Sequence, residues 1–165
     1  MLKLDFILDD RICDIESRHF WQSLPVQEVL ACVLQYAPVW KMYRSTGSNV
    51  CVRVTDPATM CQYNEQHRHK KSSTNILSFP VMPPGSPFFK TPDGRVILGD
   101  LLISHADVAC QAKDQGKTIA QHATHLLVHG MLHLLHYDHV TADQAKVMED
   151  LERVILSHWG WPCPY

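Results

Sequence analysis

The chain has 165 residues, of which 45% are hydrophobic and 19% charged, with a formal net charge of -2. That length suits one domain, residues 1–165, with a core large enough to need no staples, and the balance is that of a soluble globular protein rather than a disordered or membrane-embedded one. A charge so near zero excludes a general affinity for polyanions, so a nucleic-acid partner would have to be met by a local basic patch.

The opening "MLKLDFILDD" has no basic region, no continuous apolar segment and no small-residue cleavage site. No later run reaches the length of a membrane span, so a cytoplasmic location away from membranes is expected. Leu2, Leu4, Phe6 and Leu8 alternate as a half-buried strand requires. Ser23 and Pro25 then open a helix in which Val26, Val29, Leu30, Val33 and Leu34 recur at helical spacing. "NVCVRVT" predicts a second strand, and Asp56 with Pro57 a helix running toward Gln66.

"NILSFPV" predicts a short strand closed by proline, followed by a Pro- and Gly-rich surface loop. "RVILGDLLIS" predicts a fourth strand, in which Gly99 signals a bulge or the close approach of another backbone. Ser104 with Asp107 resembles a capping box for the next helix, ended by Gly116. A long helix is expected from about Thr118 to about His136, and Thr141 with Gln144 opens the last, stopped by Gly160 and Pro162. The expectation is one α+β domain of about four strands and about five helices. The six cysteines include no Cys-x-x-Cys pair and read as reduced, mostly buried thiols.

The long helix carries His122, His125, His129, His133 and His136 at three- or four-residue steps. A lone histidine there would read as part of a polar face, whereas five in one stripe point to a metal. Residues four apart sit about 6 Å apart along the axis and can share an ion, but His125 and His133, about 12 Å apart, cannot. A third ligand must therefore come from beyond a break, and His139 can join His129 and His133 only if the chain reverses near His136. The resulting spacing, His-x3-His-x5-His, is that of the metzincin zinc proteases, with Gly130 in place of their glutamate base and His136 in place of their turn glycine. His136 either accepts a left-handed conformation, competes as a ligand, or lies in a turn built differently.

"HGMLHLLHYDH", with "YNEQHRHKKSSTNILSFP" and "LGDLLIS" upstream, resembles the YbeY-type metallo-endoribonucleases. The resemblance implies a small zincin-like α+β domain with a mixed sheet, one divalent ion, usually zinc, and hydrolysis of single-stranded RNA. It further implies a part in ribosomal RNA maturation, notably 16S 3′-end processing, and in ribosome quality control, with the ribosome or its small subunit as partner. Carried onto this chain, it makes His129, His133 and His139 the metal ligands and Arg68 the functional arginine. The chain departs from the family pattern at His136, at His67 and His69 around Arg68, and at Ser73.

Asp138 reads as an acceptor orienting a ligand imidazole or as a residue shaping the turn, with direct ligation the third choice. Asp100 and Asn75 could contact substrate or satisfy backbone groups at strand ends. Trp159, Trp161 and Tyr165 could stack on RNA bases or pack against the domain. Two other readings stand beside the nuclease: an assembly factor that the metal only stabilises, and a peptidase-like zinc hydrolase.

Overall fold

The computed structural model describes residues 1–12, 14–43 and 45–161, without the side chain of Met42. Strands β1 (Leu2–Leu8), β2 (Ser48–Thr55), β3 (Ile76–Pro80) and β4 (Val96–Ser104) form one sheet in the order β1-β2-β4-β3. The first two pairings are parallel and the last antiparallel, giving the mixed sheet of an α+β domain. Alternation sets the faces. Val50, Val52 and Val54 of β2 and Leu101 and Ile103 of β4 enter the main core, while Leu102 and Leu77 turn to a smaller cluster with Met60.

Among the described residues six α-helices pack around the sheet, one more than expected: α1 (Ile15–Ser23), α2 (Val26–Tyr36), α3 (Pro57–Arg68), α4 (His105–Asp114), α5 (Ile119–Leu134) and α6 (Ala142–His158). The unanticipated α1 buries only Trp21 and lacks a clear apolar stripe, and its N-terminus is held by Asp14 accepting from the Ser17 N–H. Helix α5 is central, with Leu127, Val128, Met131, Leu132 and Leu134 fully buried. Burying each such large apolar side chain contributes about 1.5–3 kcal/mol, which fixes the helix firmly against the sheet.

Two glycines let backbones approach. At Gly99 (φ 141°) a Cβ would lie 2.2 Å from the Phe79 carbonyl oxygen, and the β2–β4 register shifts at Asn49 and Val50, so bulge and close approach both occur. At Gly130 a Cβ would lie 2.7 Å from Ile76 and 2.9 Å from Leu101. Position 130 is thus taken by the packing of α5 on β3 and β4, and has no room for the glutamate of a zinc peptidase.

The four described cysteines are free, but contrary to expectation only Cys32 is buried; Cys51 and Cys61 are half-buried and Cys110 is exposed. Trp159 and Trp161 pack against the main core, while Tyr165 lies outside the described residues. Among the described residues no helix is long and apolar enough to cross a membrane.

Candidate metal centre

Helix α5 begins with a capping box, Thr118 accepting from the Gln121 N–H and Gln121 from the Thr118 N–H. It ends at Leu134. Beyond Leu135, His136 takes φ 69°, and the His136 and Tyr137 N–H groups bond to the carbonyls of His133 and Leu132 at 2.9 and 3.0 Å. This left-handed pair of bonds is the one that commonly closes a helix on glycine. Histidine accepts the strain here, and its ring stacks on Phe88 with centroids 4.9 Å apart. The reversal required by the spacing argument is present, and His136 is directed to Phe88 instead of toward the ligand cluster.

The turn returns His139 to the helix. Its ring centroid lies 5.5 Å from that of His129 and 5.1 Å from that of His133, and the three residues bring donor nitrogens within 4.8 Å of one another. The tautomers follow from the surroundings. His129 Nδ1–H donates to Glu152 at 2.8 Å, and His133 Nδ1–H donates to the Tyr137 carbonyl at 3.0 Å. Each ring then keeps a bare lone pair on Nε2, and these two nitrogens face each other at 3.1 Å. Two lone pairs so close repel unless a cation lies between them. Tetrahedral zinc with bonds of about 2.0–2.1 Å would set its donors about 3.3 Å apart, so the pair is spaced for such an ion. Burial, reinforced by His129 and His139, pushes His133 down to about 4, which keeps it neutral and able to ligate at neutral pH.

Glu152 was not anticipated. Its carboxylate is fully buried, and besides binding His129 it lies 3.5 Å from His125 Nε2. A buried carboxylate is costly unless paired, and one hydrogen-bonded to a ligand imidazole fixes its tautomer and strengthens it as a donor. The sequence signal was a lone carboxylate within the apolar stripe Met148, Ile155 and Leu156 of α6. Asp138 accepts from the His139 N–H at 2.8 Å and shapes the turn, one of the roles expected of it, while the carboxylate on His129 is that of Glu152. His125, His129 and Glu152 also bring potential ligand atoms together. Their close His129–Glu152 bond makes them a support for the first cluster, since His129 presents its other nitrogen there.

The three histidines open into a cleft of about 820 Å³. Arg68 lines it from the end of α3, where His69 takes φ 57° and turns the chain sharply. Among the described residues no carboxylate pairs with the Arg68 guanidinium, and its side chain is exposed. Ser73 donates to Asp107, which ties down the loop after Arg68. Asn75 lines the same cleft and donates to Gln111 at 2.8 Å. Asp100 does not; it borders a separate groove with Arg53, Tyr63 and His67. The cleft thus combines convergent imidazoles with a free guanidinium, a set suited to binding and polarising a phosphoryl group.

Comparison with known proteins gives a concordant result. The family model "Endoribonuclease YbeY" matches residues 12–160. An endoribonuclease YbeY of Rhizorhabdus wittichii is 37% identical over 147 residues, 88% of this chain and 87% of the relative. One from Pseudomonas putida is 43% identical over 122 residues, 74% of each chain, and one from Bartonella quintana 44% over 118 residues, 72% of each. Among solved structures, the solution structure of TM1509 from Thermotoga maritima shares the fold, with a TM-score of 0.54 at 17% identity, covering 95% of this chain and 91% of that one. The chain belongs to the YbeY endoribonuclease family.

Proposed function

We propose that this protein is a zinc-dependent endoribonuclease in which His129, His133 and His139 hold one ion and Arg68 engages the phosphate to be cut. The observation that carries the reading is the pair of bare Nε2 lone pairs 3.1 Å apart, with His139 beside them, opening into the cleft that Arg68 borders. When bound with a coordination position open, zinc supplies Lewis acidity and makes hydroxide available near neutral pH. Glu152 and the Tyr137 carbonyl hold the ligand rings in the tautomer the ion needs. The Arg68 guanidinium forks onto the phosphate oxygens as charge builds on them.

The substrate proposed is single-stranded RNA, whose unpaired bases and backbone can lie along the cleft. The cellular setting is ribosomal RNA maturation, with 16S 3′-end processing and ribosome quality control in the cytoplasm, and the ribosome or its small subunit as partner. This setting is supported by membership in the family and by the exposed basic loop of Arg68, Lys70 and Lys71. The whole of residues 1–165 is read as one catalytic domain.

Cleavage of a labelled single-stranded RNA by the purified protein tests the proposal, beside His133→Ala and Arg68→Ala prepared identically. Cutting by the wild type alone supports both assignments. Equal cutting by all three, or none by any, would favour an assembly factor that the metal stabilises without catalysis.

A further inference from the structure

The cleft extends well beyond the three ligand histidines. It runs along α5 past His125 to His122, about 10 Å up the helix axis from His129, and its far wall is formed by Gln111, Gln115 and Lys117. The hydrogen bonds on that wall are all of one sense. Gln111 Oε1 accepts twice, from Asn75 Nδ2 at 2.8 Å and from His122 Nε2–H at 3.0 Å. Asn75 Oδ1 accepts from the Ile76 N–H at 2.7 Å, and Gln115 Oε1 accepts from the Lys117 ammonium at 2.8 Å.

The amide oxygens of Gln111, Gln115 and Asn75 are thereby engaged, and the bare His122 Nδ1 is buried, while the Gln111 and Gln115 NH2 groups and the remaining Lys117 protons are left as donors. Burial, then His125 and Lys117, pushes His122 down to about 4, so its ring is neutral and Nε2–H can keep Gln111 in this orientation. The one carboxylate lining the described cleft, Asp138, accepts from the His139 N–H at the opposite end. A wall with several donors, one formal positive charge and its amide oxygens already taken is matched by a group that only accepts and is negative.

We infer that Gln111, Gln115 and Lys117 form a second phosphate subsite, which holds a phosphodiester of the RNA strand further along from the one at the histidines. The inference rests on the RNA-cleaving reading for its substrate, and it makes the cleft a two-point clamp on the backbone. Arg68 and the ion would take the scissile phosphate, and the far wall would set the direction and register of the strand. Recognition through the backbone would leave base identity unread at this point.

The test measures binding first, so that it stands apart from cleavage. Affinity of the zinc-loaded protein for a labelled single-stranded RNA is followed against salt in the wild type, Lys117→Ala, Gln111→Glu and Lys146→Ala. The last removes the same charge from the exposed face of α6. Lys117→Ala is expected to shallow the slope of log affinity against log salt by about 0.7, one phosphate contact on a single strand. Gln111→Glu keeps the acceptor that Asn75 and His122 use but replaces the donor, and should weaken binding about tenfold or more. Lys146→Ala should change neither. Far-ultraviolet circular dichroism checks that Gln111→Glu is folded, and Lys117→Ala, at the cleft edge, provides an independent variant.

Cleavage then locates the contact. With single methylphosphonate linkages along the RNA, one neutral linkage away from the cut should raise KM in the wild type, with a much smaller effect on kcat, and should have no further effect in Lys117→Ala. If Lys117→Ala and Gln111→Glu match Lys146→Ala in slope and affinity, or if RNA does not bind at all, the subsite is overturned. RNA that is bound with the predicted slopes yet never cut would sustain the subsite and overturn the nuclease reading instead.

Discussion

His122 and His125 in the first half of α5 and His129 and His133 in the second share a residue type, a helix and a spacing of three to four residues. Their surroundings divide them. The second pair has each Nδ1 taken by a fixed acceptor, Glu152 or the Tyr137 carbonyl, and the turn at His136 brings His139 back as a third donor. The first pair meets no such turn: His122 donates to a glutamine, and His125 lies beside the rear of the same carboxylate. Spacing along a helix offers only pairs of ligands, and what stands behind each imidazole decides which pair presents two bare nitrogens to each other.

The comparison can be broken at several points. The largest effect is expected from His133→Ala, which removes the central one of the three proposed ligands and should abolish tight zinc binding, as measured by competition with a chromophoric chelator. Full metal content in that variant would refute the ligand set. Next, Glu152→Gln keeps the shape but removes the charge behind His129, and should weaken zinc binding about 10–100-fold without unfolding the chain. An affinity equal to the wild type would remove Glu152 from the centre.

A third effect is in acid stability. Folded His122 is protonated only near pH 4, whereas its unfolded value is near 6.5, so between these values the unfolded chain binds the extra proton. The stability due to neutral His122 is therefore complete above pH 6.5 and is lost as pH falls toward 4, at about 1.4 kcal/mol per pH unit. Urea melts of the metal-free protein across that range should show the slope, and His122→Gln should flatten it. His133, shifted the same way, adds to the wild-type slope and should keep it from vanishing in the variant. The smallest change is at the turn. His136→Gly relieves about 1 kcal/mol of left-handed strain and loses a similar amount of stacking on Phe88, so its Tm should lie near that of the wild type. A β-branched residue has no such relief, and His136→Val should melt lower; equal Tm values would show that the turn carries no strain.

Much of this was legible in the sequence because it depended on local patterns. Alternating valines placed β2, capping residues opened α4 and α6, and the impossibility of spanning His125 to His133 along a straight helix required the break that His136 makes. What escaped depended on contacts between distant segments. Glu152 reaches His129 across 23 positions, and Asn75 reaches Gln111 across 36, so neither partner could be assigned from spacing. Asp138, adjacent to His139, is by sequence alone as good an orienting acceptor as a turn-shaping residue, and only the fold shows it bonded to the His139 N–H with Glu152 behind His129. Helix α1 is hidden in the sequence for a related reason: its one buried side chain, Trp21, donates to His105 of α4 at 3.0 Å, a contact between distant segments with no local signature.

The most direct measurement takes zinc stoichiometry and cleavage of single-stranded RNA on the same preparations of the wild type, His125→Ala and His133→Ala. The two variants remove the same ring from the two halves of one helix. His125→Ala is expected to keep one bound zinc and to cut RNA, whereas His133→Ala should lose both the ion and the cutting. Equal loss in the two variants, or cutting by His133→Ala without zinc, would contradict the ligand assignment.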